Sequence, residues 1–387
     1  MLEIIDDESS RAWLSKQDRQ TRIWFVSRMA LRSLPAAIGK MPFDEVSSLR
    51  LWHHLLIATV GSLDLAAARK AAPFAFGSTS YKGSAQQIYN DQLFFASPQP
   101  NQKKVLYGDE QPPPGILRRE VGENAIGNAL IWAIQIGEPE PTADFGGGYW
   151  ELEWLAGADY ANKLATSDAL SPRNWRPLWG TWGRPANIEA DYSALDDFFD
   201  RDSEVWGFWL RWFKAIHDGN PMPWELSRLI ALELTAQDWQ LGPGHVALKI
   251  KEIEALFRVR QSLSELSRQR LELTSQGRLG IGGNNPPEEI EIPFEVTESH
   301  TIIWAAVDEI AEQAEAVKPE RSIVLAALEK LTRALSICLS WAAKKADLAV
   351  ETAIKWSIPA SGGYFLLNPG KFQALIEAVK AWSSFIP

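Results

Sequence analysis

The sequence is poor in the residues that most often carry chemistry. Of its 387 residues, one is cysteine, four are methionine and five are histidine. A lone Cys338 cannot close an internal disulfide, so a disulfide-stapled secreted scaffold is excluded. Among His53, His54, His217, His245 and His300, only the first two are close in sequence. Adjacent helical positions point about 100° apart, not toward one metal. With no H-E-x-x-H and no cysteine pair, no metal is expected. The phosphate-cradling G-x-x-x-x-G-K-[ST] loop and the G-x-S-x-G nucleophile elbow are missing too. No cofactor is implied, and no catalytic signature is found, which leans against an enzyme.

Basic excess is also lacking. The formal charge is −10, and residues 137–206 carry nearly all of it, with 14 Asp/Glu against 5 Lys/Arg. An acidic middle repels a phosphate backbone and argues against nucleic acid as a partner. Arg11, Arg19, Arg22, Arg28 and Arg32 recur in the first helix, where a solvated face accounts for them. The most apolar C-terminal window, Leu348–Leu367, contains Glu351, Lys355, Pro359 and Gly362-Gly363. Each central charge would cost about 2.5–3.5 kcal/mol to insert, which argues against a spanning helix. Surface insertion of an amphipathic helix stays open as an alternative. The opening Met1–Glu8 has acids where a signal peptide wants Lys or Arg, so the cytoplasm is the expected compartment.

What the chain does have is tryptophan, 18 residues against 7 tyrosines. Each buries about 200 Å² and brings an N–H that wants a partner. Such a chain has either a ring-filled core or a stacking surface for a flat ligand. Trp206 and Trp209 sit on an apolar stripe and read as core. Trp175, Trp179 and Trp182, interrupted by Pro177, Gly180, Gly183 and Pro185, are the candidate ligand-binding residues.

Helical periodicity dominates, and the expected fold class is all-α. Ile23, Val26, Ala30 and Leu34 mark one helix. Leu49, Trp52, Leu56, Val60, Leu63 and Ala67 form a single apolar stripe on the next, and the two would pair as a hairpin. A helix near Glu120 and another from Tyr149, bearing Trp150 and Trp154, flank Gly146-Gly147-Gly148. Asp202 is a candidate N-cap for a helix with Trp206, Trp209 and Phe213, which Gly219-Asn220-Pro221 ends. Pro223 suits the first turn of the next helix. Gly242-Pro243-Gly244 precedes a long one, from about His245 to Leu273.

Residues 275–299 combine glycines, Pro286-Pro287 and glutamates, a composition that reads as a linker. The expected division is therefore a Trp-rich multi-helix domain over 1–274, a linker over 275–299 and a small helical bundle over 300–387. In the last part, Ile303, Val307, Ile310, Ala314 and Val317 step by heptad-like intervals. So do Val324, Leu328, Leu331, Leu335 and Cys338, and Phe372, Leu375, Val379, Trp382 and Ile386. Three such seams predict a bundle, and on its apolar seam Cys338 reads as a buried small hydrophobe.

The run Trp206-x-x-Trp209-x-x-Trp212-Phe213, then Gly219-x-Pro221, then Trp239-x-x-Gly242-Pro243, resembles a group of uncharacterised bacterial proteins rich in Trp and Ala. Arg28–Pro35 and the Asn284–Glu288 linker are similar to theirs as well. The resemblance covers about 80 residues and implies a bacterial origin. It implies no activity and no catalytic residue.

The expected function is non-enzymatic: an interaction or scaffold protein whose C-terminal bundle recruits a partner or a second copy. More apolar surface is present there than three short helices hide, with Trp341, Trp356, Phe365 and Trp382 as candidate anchors. One alternative is a carbohydrate-active hydrolase using the acidic and aromatic residues of 137–206, Glu151, Glu153, Asp196 and Asp197 among them. The structural reading of Asp196, Asp197, Asp200 and Asp202 is that they cap helix starts. A second alternative is a cell-damaging effector with a membrane-active C-terminal module.

Overall fold

The computed structural model describes residues 24, 27, 28, 31, 34, 35, 45–64, 66–68, 70–71, 177–178, 189–276, 293–344 and 369–387. Among the described residues the chain is helical throughout, and no strand occurs. These residues fall into two compact units, Met1–Ile250 and Lys251–Pro387.

In the first unit, α1 (Glu45–Leu63) is the central helix. The sequence marks one apolar stripe on it, but Leu55, Ile57, Ala58, His53, Ser48 and Ser62 are buried as well as Leu49, Trp52, Leu56 and Val60. A helix enclosed on nearly every side is a core helix rather than an amphipathic surface one. Asp64 interrupts it: its Oδ1 accepts from the Ala67 N–H at 2.9 Å and so caps the helical residues that follow. Its Oδ2 takes the Arg228 Nε–H at 2.9 Å, a partner 164 residues away.

The helical residues nearer the N-terminus bury Trp24, Ser27, Arg28, Leu31 and Leu34. Ile23, Val26 and Ala30 lie outside the described residues. Arg28 corrects the expectation of a solvated arginine face: it is 2% exposed. Its Nη2 donates to the Pro177 carbonyl at 2.8 Å, and its guanidinium lies 5.2 Å from the Trp24 ring centre.

Two further helices, α2 (Glu189–Asp200) and α3 (Ser203–His217), pack against each other. Asp202 caps α3 as its sequence position predicts, accepting from Glu204 N–H at 3.1 Å and Val205 N–H at 3.2 Å. Asp196, Asp197 and Asp200 do not cap helix starts; they belong to α2, where all three are exposed. The end of α3 also follows the sequence signal. Gly219 takes φ +76°, which places its N–H on Ile216 O and the Asn220 N–H on Ala215 O. That pair of bonds satisfies carbonyls the helix end would leave open, and a Cβ would oppose the turn.

Pro223 stands at the N-cap of α4 (Trp224–Glu233), one residue before the first turn. α4 packs on α1. The short α5 (Ala236–Gln240) is held by a capping box between Thr235 and Asp238. Gly242, at φ +93°, then turns the chain into α6 (Pro243–Gln276).

The second unit is a helical bundle of α7 (Phe294–Glu315), α8 (Arg321–Lys344), α9 (Pro369–Ser383) and part of α6. The three predicted seams are buried in one core, with one exception. Val317 is 98% exposed, because α7 ends at Glu315 and Ala316 is its C-cap. The Arg260 guanidinium donates to the Ala314 carbonyl at 2.7 and 3.1 Å, closing that helix end. Ala255, Val259, Leu263 and Leu266 of α6 supply a fourth apolar stripe to the same core. Val296 and Ser299 are buried in α7.

Candidate functional site

The ring-filled interior of the first unit is built around Trp52. Its indole lies 5.7 Å from Trp209 and nearly parallel to it, and it meets Phe199, Trp212 and Phe213 at centroid distances of 5.4, 6.4 and 6.3 Å. Trp206 adds to the set through Phe198 at 4.9 Å. α1, α2 and α3 each contribute, so tilted and edge-on ring pairs join three helices with the geometries aromatic quadrupoles favour. Trp206 and Trp209 are 3% and 1% exposed, which makes them core. Buried Trp212 donates to Ser227 Oγ at 3.2 Å. Beside it, Thr59, Leu63, Met222 and Trp224 line a small hollow with Ser227. Its volume of about 10 Å³ is at the lower limit for a single water and too small for an organic ligand.

One polar constellation in this unit has the form of an orienting dyad. His245 Nε2 lies 2.8 Å from Asp238 Oδ1, while Asp238 Oδ2 accepts from Thr235 Oγ1 at 2.6 Å and from the Thr235 N–H at 2.9 Å. Burial raises the Asp238 pKa, but these hydrogen bonds outweigh it and hold the carboxyl below its usual range. Every contact ties α5 to its flanking residues. The arrangement fastens a short helix, with the Thr235 hydroxyl committed to Asp238 as donor and as acceptor of its N–H. His53 is buried against Trp239. Among the described residues, no group of His, Cys, Asp and Glu is placed to hold a metal ion.

Trp175, Trp179 and Trp182 lie outside the described residues, as do Glu151, Glu153, Trp356 and Phe365. Of the other candidate anchors, Trp382 fills the core of the bundle at 3% exposed. Trp341 is half-buried and packs against that core from its edge. Cys338 is fully buried, its Sγ 3.9 Å from the Val296 carbonyl oxygen. Burial pushes its thiol pKa up to about 11, so it is a structural residue and not a nucleophile.

One open surface of the bundle lies along α8. Leu325, Glu329, Thr332, Arg333, Ser336 and Ile337 line a groove that Lys380 of α9 borders. Leu325 and Ile337 are 42% and 36% exposed. In the sequence this face is less conspicuous than the aromatic anchors, because bulky rings are the stronger signal. A helical wheel of α8 would have found it: once Val324, Leu331 and Cys338 are turned inward, Leu325 and Ile337 have nothing in their own helix to cover them. Among the described residues, no helix is long and apolar enough to cross a membrane.

No protein-family model, no curated protein and no solved structure matches the chain.

Proposed function

We propose that the chain is a non-enzymatic interaction protein whose C-terminal bundle recruits a second copy or a helical partner. The observation that carries this reading is the exposed groove on α8, with Leu325 and Ile337 left uncovered on a helix whose inward face is already satisfied. Exposed apolar positions rimmed by polar and charged side chains are the composition of a contact surface. A cytoplasmic setting and a bacterial source belong to the same reading. The bacterial source rests on the resemblance of the Trp-rich segment. The hydrolase and membrane-effector alternatives draw on residues 137–206 and 348–367, which lie largely outside the described residues, and no geometry favours either.

Light scattering on the full chain across a concentration series tests the reading, together with capture of amphipathic helical peptides. Self-association or peptide capture that weakens in Ile337→Glu supports it. A strictly monomeric chain that holds no helix, with or without the substitution, removes its basis.

A further inference from the structure

We propose that the outward face of α8 forms a two-fold contact with a second copy of this chain, antiparallel and centred on residue 331. The inference rests on the self-association arm of the proposed function and names the surface that performs it. Leu325, Glu329, Arg333 and Ile337 follow one another at four-residue steps, a ridge about 18 Å long at the helical rise of 1.5 Å per residue. All four are exposed, while Val324, Leu331 and Cys338 on the opposite side are in the core. Ridges of every fourth residue are the ones that interdigitate in the commonest class of helix pair.

The order of residues along the ridge is self-complementary. Two antiparallel copies centred on residue 331 bring each position against its mirror position. Leu325 then meets Ile337 of the second copy, and Glu329 meets Arg333 of the second copy. Apolar residues pair at both ends and opposite charges pair twice in the middle, as an isologous contact requires. Ala326 and Ser336 oppose each other by the same rule and are small enough to let the helices approach.

The two charges are also uncommitted. Glu329 and Arg333 have the spacing of an intrahelical ion pair, yet neither side chain makes an ion pair or hydrogen bond among the described residues. Lys380, at the edge of the groove, is instead occupied by Glu377 at 2.9 Å.

Sedimentation equilibrium on the full chain tests the contact through two charge reversals. Glu329→Arg and Arg333→Glu each set like charges against one another at both contacts. Each alone is expected to weaken self-association by at least about tenfold. Mixed in equal amounts, the two variants are expected to associate with each other, because every arginine then faces a glutamate. The double variant E329R/R333E is expected to self-associate like the parent, and it decides the matter if a single variant loses helicity by circular dichroism. Failure of the mixture or of the double variant to recover association overturns the proposal. Parent-like association in both single variants overturns the α8 ridge but leaves self-association through another face. A parent chain that stays monomeric overturns the ridge and the self-association arm together, leaving only a helical partner.

Discussion

The imidazole of His53 lies flat against the indole of Trp239, with ring centres 3.6 Å apart and planes 10° from parallel. The stack fastens α5 to the buried side of α1, and Trp239 also reaches Trp209 at 6.4 Å. Aromatic pairs of this kind contribute about 0.5–1.5 kcal/mol beyond the area they bury. A double-mutant cycle with His53→Ala and Trp239→Ala, read by urea denaturation, is expected to return a coupling energy in that range. Additive single effects would mean that the two rings are merely adjacent.

Trp209→Ala removes an indole at the meeting point of Trp52, Phe208 and Trp212. Truncation of a buried large aromatic costs about 3–5 kcal/mol, and the same cost is expected for Trp206→Ala. Equilibrium denaturation checks both. A variant that unfolds at the parent's midpoint would show its indole to be dispensable.

Asp64 and Asp238 make the first unit acid-sensitive. The Ala67 N–H, opposed by burial and aided by Arg228, holds Asp64 below the usual carboxylate range. At Asp238, burial works the other way but is outweighed by the hydrogen bonds from Thr235 and His245. An unfolded aspartate titrates near about 3.9. The unfolded chain therefore takes up these protons first as pH falls. Their contribution is complete above that value and lost as pH drops through the lower native values. The denaturation midpoint is expected to decline below about pH 4, and Asp64→Asn or Asp238→Asn is expected to flatten that decline. An unchanged slope in both variants would remove these carboxyls as its source.

The thiol of Cys338, raised to about 11 by burial, is expected to resist alkylation at pH 8 in the folded chain and to react fully in denaturant. Mass spectrometry after iodoacetamide treatment reads this directly. Rapid labelling of the native protein would place the α8 seam open to solvent.

Local signals in the sequence were sufficient wherever one residue's chemistry settles the outcome. Asp202 caps α3 because its carboxylate reaches two free N–H groups of the first turn. Gly219 ends the same helix because it takes a positive φ without steric cost. The bundle seams were equally legible, since heptad-like spacing puts apolar side chains on one side of any helix that carries it. Val317 left its seam because periodicity fixes an angle around the axis and says nothing of where the axis stops.

The sequence by itself determined the all-α class, the helix ends marked by Asp202 and Gly219, and the inward faces of the bundle. The tertiary structure decided what lies opposite each face. The stripe on α1 shows where it is most apolar, but only packing on several sides buries Ser48 and His53 as well. Arg28 looks like one more surface arginine, yet it is buried and donates to the carbonyl of Pro177, 149 residues away. A buried charge is tolerable only where acceptors are brought to it, and no local pattern specifies which distant segment brings them. The groove on α8 was hidden for the same reason. An apolar residue on an outward face becomes visible as exposed only once every neighbouring helix has taken its place.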